Sequence, residues 1–297
     1  MENSSPIRNA RIYQIFYSAQ TREQLDPGFI PLDNTGQRSD WFEYWPMRKF
    51  LLNNTLDDDT FYGFLSPRFK DKTGLSAAQV YDFVGATDPS VDVISFSPYF
   101  DLMALYRNCF YQGFDAHPDS GVLESSIKLL MPDIDLNTLI MTSQNMIFCN
   151  YFLSRPPFWR RWLELTEKLF EIAEQNDTPL GRALNAGTNY RDGSTVSIKS
   201  FVIERLASLL LATEKHWKSR AFSPRDLPLS RERLEVIHAA VLPELEALDA
   251  LKKRYNETGQ ESVMRRYDAL VKRFKWSARI KRHTHKMREI FTATSRA

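Results

Sequence analysis

The chain lacks the features that define several protein classes. It has only two cysteines in 297 residues, Cys109 and Cys149, and neither belongs to a CxxC pair or lies beside a histidine. This spacing argues against a disulfide framework or a zinc site, so we expect two reduced core residues. No window approaches the run of about 18 apolar residues that spans a bilayer, and the first residues lack the apolar run of a signal peptide. We therefore expect a soluble, cytoplasmic protein.

Strong catalytic motifs are also absent. The sequence has no P-loop, no GxGxxG, no GxSxG and no HExxH. The best metal-binding pattern is Asp133-Ile134-Asp135, because paired carboxylates hold Mn²⁺ or Mg²⁺ against a diphosphate. Pro132 and the helical flanks favour helix N-capping by Asp135 instead. We expect no cofactor, with this metal pair as the weaker alternative.

Charge is nearly balanced over the chain but not along it. There are 39 Lys and Arg against 37 Asp and Glu, yet from Lys252 onward 14 residues are basic and 4 acidic. This tail therefore carries about +10 and the rest about −8. It also alternates basic residues with the aromatics Tyr267, Phe274 and Trp276. The pattern is typical of a helix on an anionic membrane surface or of packing on the domain. Nucleic-acid binding ranks last, and we expect no nucleic-acid partner.

Apolar runs and turn signals alternate over the first 222 residues. Strands are predicted at the start of ARIYQIFYSAQT and at 29–32, 61–65, 91–96 and within 141–153. Helices are predicted at 40–53, 76–84, 103–114, 122–131, 158–174 and 196–215, with a long loop at 176–195. This alternation predicts an α/β fold with a Rossmann-like mixed sheet flanked by helices.

The C-terminal part has a different pattern. Residues 223–229 contain two prolines and are predicted to be a linker. Two helices follow, at about 230–256 and 260–291, with a break at Thr258-Gly259. The predicted domains are an α/β domain at 1–222 and a basic helical hairpin at 223–297.

Polar residues follow two of the predicted strands. Ligands of open α/β sheets bind outside the carboxyl ends of the strands, so 17–21 and 66–72 are the first candidate site. Arg68, Lys70 and Lys72 would neutralise a diphosphate without a metal. A solvated basic loop is the alternative.

Three residues are candidate general bases. Glu204 lies among apolar residues in FVIERLASLLL, where burial raises a carboxyl pKa, although local pairing with Arg205 or Lys199 is the alternative. His117 lies in the turn HPDSG, where a surface histidine is the alternative. Asp101 is the third candidate, and Glu204 is the first choice.

The order of four segments carries a family resemblance. FYGFLSPRF, DVISFSP, NMIFCNYFLSRPPFWRRWLE and FVIERLASLL together resemble the glycosyltransferase-like domains found with bacterial surface-polysaccharide biosynthesis genes. The likeness covers about residues 11–213. It implies the single-domain nucleotide-sugar transferase fold, called GT-A, in which early strands bind the nucleotide. The chain departs from the family in having no convincing DxD after a strand.

The resemblance also implies roles for particular residues. Nucleotide-sugar binding falls on Tyr17, Ser18, Gln20, Thr21, Ser66, Arg68, Lys70 and Lys72. Acceptor recognition falls on Asn150, Tyr151 and the helix that carries Glu204.

Two hypotheses follow. The first is a glycosyltransferase that moves a sugar from a nucleotide-sugar donor to a saccharide or lipid-linked acceptor in surface-polysaccharide biosynthesis. It would work in the cytoplasm, peripheral to the inner face of the membrane through the basic tail. The alternative is a non-catalytic saccharide-binding or scaffold protein of the same fold.

Overall fold

The chain forms two compact units, Met1–His238 and Ala239–Ala297. The computed structural model describes residues 9–116, 120–189, 195–230 and 238–274. None of the helices in these ranges combines the length and apolar character needed to cross a membrane.

A mixed sheet organises the first unit. Its strands and those of a small hairpin are β1 (Ala10–Phe16), β2 (Ile30–Asp33), β3 (Phe61–Leu65), β4 (Val93–Ser95), β5 (Phe152–Ser154), β6 (Gly187–Asn189), β7 (Thr195–Ser197) and β8 (Ser219–Ala221). The six-stranded sheet has the order β2-β1-β3-β5-β4-β8, and β6 pairs with β7. In the six-stranded sheet β5 runs antiparallel to both neighbours, whereas the other pairs of that sheet are parallel. The predicted α/β class with a mixed sheet is confirmed.

Helices flank this sheet. They are α1 (Ala19–Glu23), α2 (Tyr44–Asn53), α3 (Phe69–Thr73), α4 (Ala77–Gly85), α5 (Phe100–Leu105), α6 (Cys109–Ala116), α7 (Ser120–Leu130), α8 (Pro156–Gln175), α9 (Pro179–Asn185) and α10 (Ile198–Thr213). The second unit contains α11 (His238–Thr258). Short 3₁₀ turns occupy Ser39–Trp41 and Pro224–Asp226.

β3 forms the centre of the core. All five of its residues are buried, as expected for a strand that is covered on both faces. α8 packs against it, and the Trp159 indole donates a hydrogen bond of 3.1 Å to the Tyr62 carbonyl. The apolar positions of α8 repeat at helical spacing, so the predicted helix is confirmed.

The strand predicted within 141–153 is wrong except at its end, where β5 begins. Cys149 and Asn150 have φ angles of 62° and 54°, which are left-handed and incompatible with a strand. The segment before β5 is therefore a series of turns, although its residues are apolar enough to suggest a strand.

Two predicted loops contain regular structure. The basic loop after β3 forms α3, which ends at Gly74 with φ 73°. The loop predicted at 176–195 contains α9 and β6, and β7 begins at its last residue. Thr178 caps α9, and Pro179 occupies its first turn, where the missing N–H is no loss.

The first unit extends beyond the predicted boundary at residue 222. Leu227 and Leu229 are buried, and Leu227 belongs to the sheet core. In the second unit, α11 ends where Gly259 adopts φ 64° and donates to the Tyr255 carbonyl, and a helical run continues over 261–274. The predicted break at Thr258-Gly259 is confirmed. Trp276 and the rest of the tail lie outside the described residues.

Candidate functional site

The candidate site lies at one edge of the six-stranded sheet. The connection after β1 leads to β2 on one side, whereas the connection after β3 leads to β4 on the other side, so the two connections run in opposite directions. Such a switch point opens a crevice at the carboxyl ends of the strands. Because β5 is antiparallel, its beginning reaches the same edge as the end of β3. The fold therefore places residues 17–21, 66–72 and 149–151 at one edge.

Gln14 holds the ends of β1 and β3 in place. Its side chain is buried, with Nε2 donating to the Ser66 carbonyl at 3.3 Å and Oε1 accepting from the Asp26 amide at 2.9 Å. A buried amide that is bonded on both sides fixes the separation of the two loops.

The residues after β1 divide into two groups. Ser18 and Thr21 form a reciprocal capping box at the start of α1, and Gln20 is exposed. Tyr17 instead points its hydroxyl into the protein, where the oxygen is buried near the carboxylate of Glu43. Burial raises the pKa of Tyr17, and the nearby carboxylate of Glu43 raises it further.

Ser66 and Lys72 connect the loop after β3 to the start of β5. The Ser66 hydroxyl lies 2.7 Å from the hydroxyl of Tyr151, and both residues are buried. Lys72 Nζ donates to Cys149 Sγ at 3.3 Å and lies 5.7 Å from the centre of the Tyr151 ring.

Lys72 keeps its charge in this setting. Burial opposes that charge, but Cys149, Tyr151 and Glu204 raise the pKa of Lys72 above its ordinary value. Burial raises the pKa of Cys149 to about 11 against the effect of Lys72. At neutral pH the pair is an ammonium beside a neutral thiol, so Cys149 is not an activated nucleophile.

Left-handed backbone conformations border this edge. Phe42 (φ 45°) precedes Glu43, Tyr99 (φ 75°) follows β4, and Cys149 and Asn150 precede β5. Such positions cost about 1–3 kcal/mol each and persist only where the surroundings enforce them. Asn150 is 6% exposed, and its side-chain oxygen has no hydrogen-bond partner among the described residues.

Glu204 occupies an unusual position on α10. Every other residue from Phe201 to Ala212 is buried, whereas Glu204 is half-buried. Ser208, one turn later on the same face, accepts a hydrogen bond of 2.8 Å from the Ile147 amide. Glu204 is therefore directed towards the segment that carries Cys149.

The Glu204 carboxylate forms no hydrogen bond or ion pair with the described part of the chain. Arg205 is bonded to the Cys109 and Phe201 carbonyls and to Gln112 instead. Lys199 is bonded to Asp40 and Asn185. Pairing of Glu204 with either cation is thus not observed. Burial, supported by Glu43, raises the pKa of Glu204 against the effects of Arg205 and Lys72.

We call these side chains the polar cluster: Tyr17, Glu43, Ser66, Lys72, Cys149, Tyr151 and Glu204. It combines two carboxylates, one ammonium, one thiol and three hydroxyls at the carboxyl edge of the sheet. Side chains of these types can form hydrogen bonds with hydroxyl groups and can exchange protons.

The other candidate residues do not belong to this cluster, and one of them lies outside the residues that the structure describes. Arg68 and Lys70 are exposed at the start of α3. Asp101 is buried, and its two oxygens accept bonds from the amide and hydroxyl of Ser230, which gives it a structural role. His117 lies outside the described residues.

The possible metal pair is in a loop. Asp133 and Asp135 are exposed after α7, and Asp135 accepts hydrogen bonds from the amide and side chain of Asn137. No group of three or more metal-binding side chains occurs among residues 9–116, 120–189, 195–230 and 238–274. Asp135 closes a turn and does not cap a helix, contrary to the expectation from the sequence.

Sequence reasoning missed Glu43 and the position of Cys149. Glu43 is the only acidic residue between Asp40 and Asp57 and directly precedes α2. Pro46 lies in the first turn of α2, so it could have indicated that the helix begins at Tyr44. Cys149 was expected in the core, and no local signal shows that Lys72 binds it.

Fold and cluster define the class of protein: an α/β chain with a candidate ligand site at the carboxyl edge of a mixed sheet. Comparisons with protein-family models, with curated proteins and with solved structures found no match.

Proposed function

We propose that this protein is a glycosyltransferase that moves a sugar from a nucleotide-sugar donor to a saccharide or lipid-linked acceptor. The observation that carries the proposal is Glu204, a carboxylate of the polar cluster on a largely buried helix, which has a raised pKa and no ion pair with the described part of the chain. A carboxylate in this state is suited to act as a general base near neutral pH. The mixed sheet with β5 reversed supports the GT-A type of fold as part of the proposal.

The reaction assigned to the site is a single displacement. Glu204 takes the proton of an acceptor hydroxyl, and the oxygen forms a bond to the anomeric carbon of the donor. The bond from that carbon to the diphosphate oxygen breaks, and the nucleoside diphosphate leaves with the electron pair. Attack from the opposite side inverts the anomeric configuration.

Basic residues after β3 stabilise the leaving group. Arg68 and Lys70 are exposed and able to meet a diphosphate from solvent, and Lys72 supplies a charge within the cluster. Asn150 and Tyr151 are assigned to the acceptor. Asp133 and Asp135 follow a helix and not a strand of the sheet, so they carry no step.

Binding is the first test. Thermal-shift measurements with nucleotide sugars, with and without Mn²⁺, report any ligand that binds the native state selectively. A shift by one nucleotide sugar without metal supports the basic residues after β3, and a shift that requires Mn²⁺ favours Asp133 and Asp135. No shift with any of them contradicts the proposal.

Release of nucleotide from the donor is the second test. We expect Glu204→Gln to lower the rate by about 10²- to 10⁴-fold, because the amide cannot accept the proton. Glu124→Gln, an equivalent change at an exposed position of α7, should leave the rate unchanged. Binding without turnover in the wild type would favour the non-catalytic saccharide-binding alternative.

A further inference from the structure

Around the candidate site, the acidic side chains are half-buried and most of the basic side chains are exposed. The two carboxylates, Glu43 and Glu204, are half-buried in the polar cluster, whereas Arg68 and Lys70 are exposed on the loop and first turn of α3. Lys72 is the one described cation in the cluster, and its Nζ already donates to Cys149 Sγ. The inner part of the site therefore has more negative than positive charge.

Unused hydrogen-bond acceptors accompany these carboxylates. Glu204 has no hydrogen bond or ion pair with the described part of the chain, and Glu43 forms no ion pair there. The buried side-chain oxygen of Asn150 also lacks a partner within that part. Buried acceptors without donors are unfavourable, so they indicate a ligand rich in O–H groups.

We propose that the polar cluster, together with Asn150, binds the uncharged, hydroxyl-bearing ring of the transferred sugar and discriminates against a sugar that carries a carboxylate. This inference rests on the proposed function and adds the class of sugar. Ring hydroxyls donate to the oxygens of Glu43, Glu204 and Asn150. The carboxylate of a uronic acid has no proton to donate, and like charges placed together are unfavourable.

The diphosphate does not suffer the same repulsion because it meets a different part of the site. Arg68 and Lys70 lie on the exposed side, and both are free to approach a doubly charged group. One donor molecule thus spans an exposed basic part and an inner acidic part. A change confined to the sugar should alter affinity without altering recognition of the nucleotide.

Matched donor pairs test the inference on the full-length protein. UDP-glucose and UDP-glucuronic acid differ only at C6 of the sugar, as do GDP-mannose and GDP-mannuronic acid. Calorimetric titration should show binding about tenfold or more weaker for the acidic member of the pair that binds, which corresponds to about 1.4 kcal/mol or more. Equal affinity within the pair, or tighter binding of the uronic acid or of CMP-sialic acid, overturns the inference.

Glu43→Gln provides the variant, because it removes a charge and keeps the shape. We expect it to reduce the discrimination between the paired donors while leaving the affinity for UDP or GDP alone unchanged. Glu124→Gln is the matched control and should keep full discrimination. An unchanged ratio in Glu43→Gln overturns the assignment to that carboxylate.

The two proposals fail in different ways. If no nucleotide sugar of either kind binds, the transferase proposal fails and the inference fails with it. If a nucleotide sugar binds but its acidic counterpart binds equally, only the inference fails.

Discussion

At the residue scale, burial raises the pKa of the Glu204 carboxyl at the expense of stability. Desolvation raises its pKa, and no cation of the described chain forms an ion pair with it. The same environment that suits a general base therefore opposes folding when the group is ionised. Functional sites commonly contain such conflicts between activity and stability.

Glu204→Gln should be more stable than the wild type at neutral pH. The folded protein binds the Glu204 proton more tightly than the unfolded chain does, so this residue's contribution to stability falls as pH rises from the unfolded pKa through the folded one. Because Gln carries no charge, the variant does not lose stability in this way as the pH rises. Urea denaturation should show the gain in stability at pH 7.5. It should show none below about pH 4, where the carboxyl is protonated in both the folded protein and the unfolded chain.

The control for this prediction is Glu124→Gln, which changes an exposed carboxylate on α7. It should leave the free energy of unfolding nearly unchanged at both pH values. A Glu204→Gln variant that is no more stable than the wild type at pH 7.5 would contradict the burial argument.

At the element scale, an ionic network holds the turn that leads to Glu43. Arg38 bonds both Asp40 and Glu174, and the Glu174 carboxylate also accepts from the Trp41 indole. Lys199, on α10 and almost fully buried, donates to Asp40 at 2.8 Å. The network joins the 3₁₀ turn, α8 and α10, so the position of Glu43 depends on three elements.

Lys199→Met should destabilise the first unit by about 1–3 kcal/mol, because Asp40 and Asn185 each lose a charge-assisted hydrogen bond. Urea denaturation measures the loss. Lys168→Met, on the exposed face of α8, is the control and should change stability by no more than about 0.5 kcal/mol. Equal effects of the two variants would show that the network adds no stability.

Two strands beside the candidate site, β3 and β5, pack closely against each other. Gly63 is the register partner of Leu153, and a Cβ at Gly63 would lie 2.6 Å from Leu153 Cγ. The lack of a side chain lets β5 pair with β3 beside the site. Residues 149–151 are positioned through this pairing.

Gly63→Ala should cost about 1–3 kcal/mol of unfolding free energy through overpacking. Thermal denaturation compared with Gly85→Ala gives the test, since a Cβ at Gly85 meets nothing within 4 Å. Gly85→Ala should be neutral or slightly stabilising because it restricts the unfolded chain. If Gly63→Ala melts like the wild type, the close contact does not constrain the strand pair.

At the scale of the whole molecule, the two units differ in charge and in their proposed roles. The first contains the sheet and the polar cluster, and the second contains the basic residues from Lys252 onward. A basic segment of this kind binds anionic lipid headgroups with a strength that depends on salt. We propose that it keeps the protein at the cytoplasmic face of a membrane.

Sedimentation with phosphatidylserine vesicles tests the membrane role. We expect full-length protein to bind at about 50 mM salt and to be released at about 500 mM, since screening weakens surface attraction. A truncation ending at His238 should remain in solution. The boundary matters because ending near Leu227 would remove the buried Leu229 and the Ser230 partner of Asp101. Equal sedimentation of both forms would contradict the proposal.

Several features of this molecule follow from its sequence alone. The uninterrupted run FYGFL predicts the fully buried strand β3, and the helical spacing of apolar residues predicts α8. The break at Thr258-Gly259 follows from the conformational freedom of glycine. Local patterns suffice for these features because burial on a strand or helix repeats with a fixed period. The same patterns placed Tyr17 and Ser66 at strand ends.

Only the tertiary structure decided which side chains form the polar cluster. Lys72 and Cys149 are 77 residues apart in sequence, and the separation between Glu43 and Glu204 is larger still. Their proximity depends on β5 running antiparallel beside β3 and on Ser208 fastening α10 to residue 147. The left-handed conformations of Cys149 and Asn150 were likewise not predictable from the local sequence. The sequence determined the elements through local periodicity, whereas long-range pairing and packing determined the site.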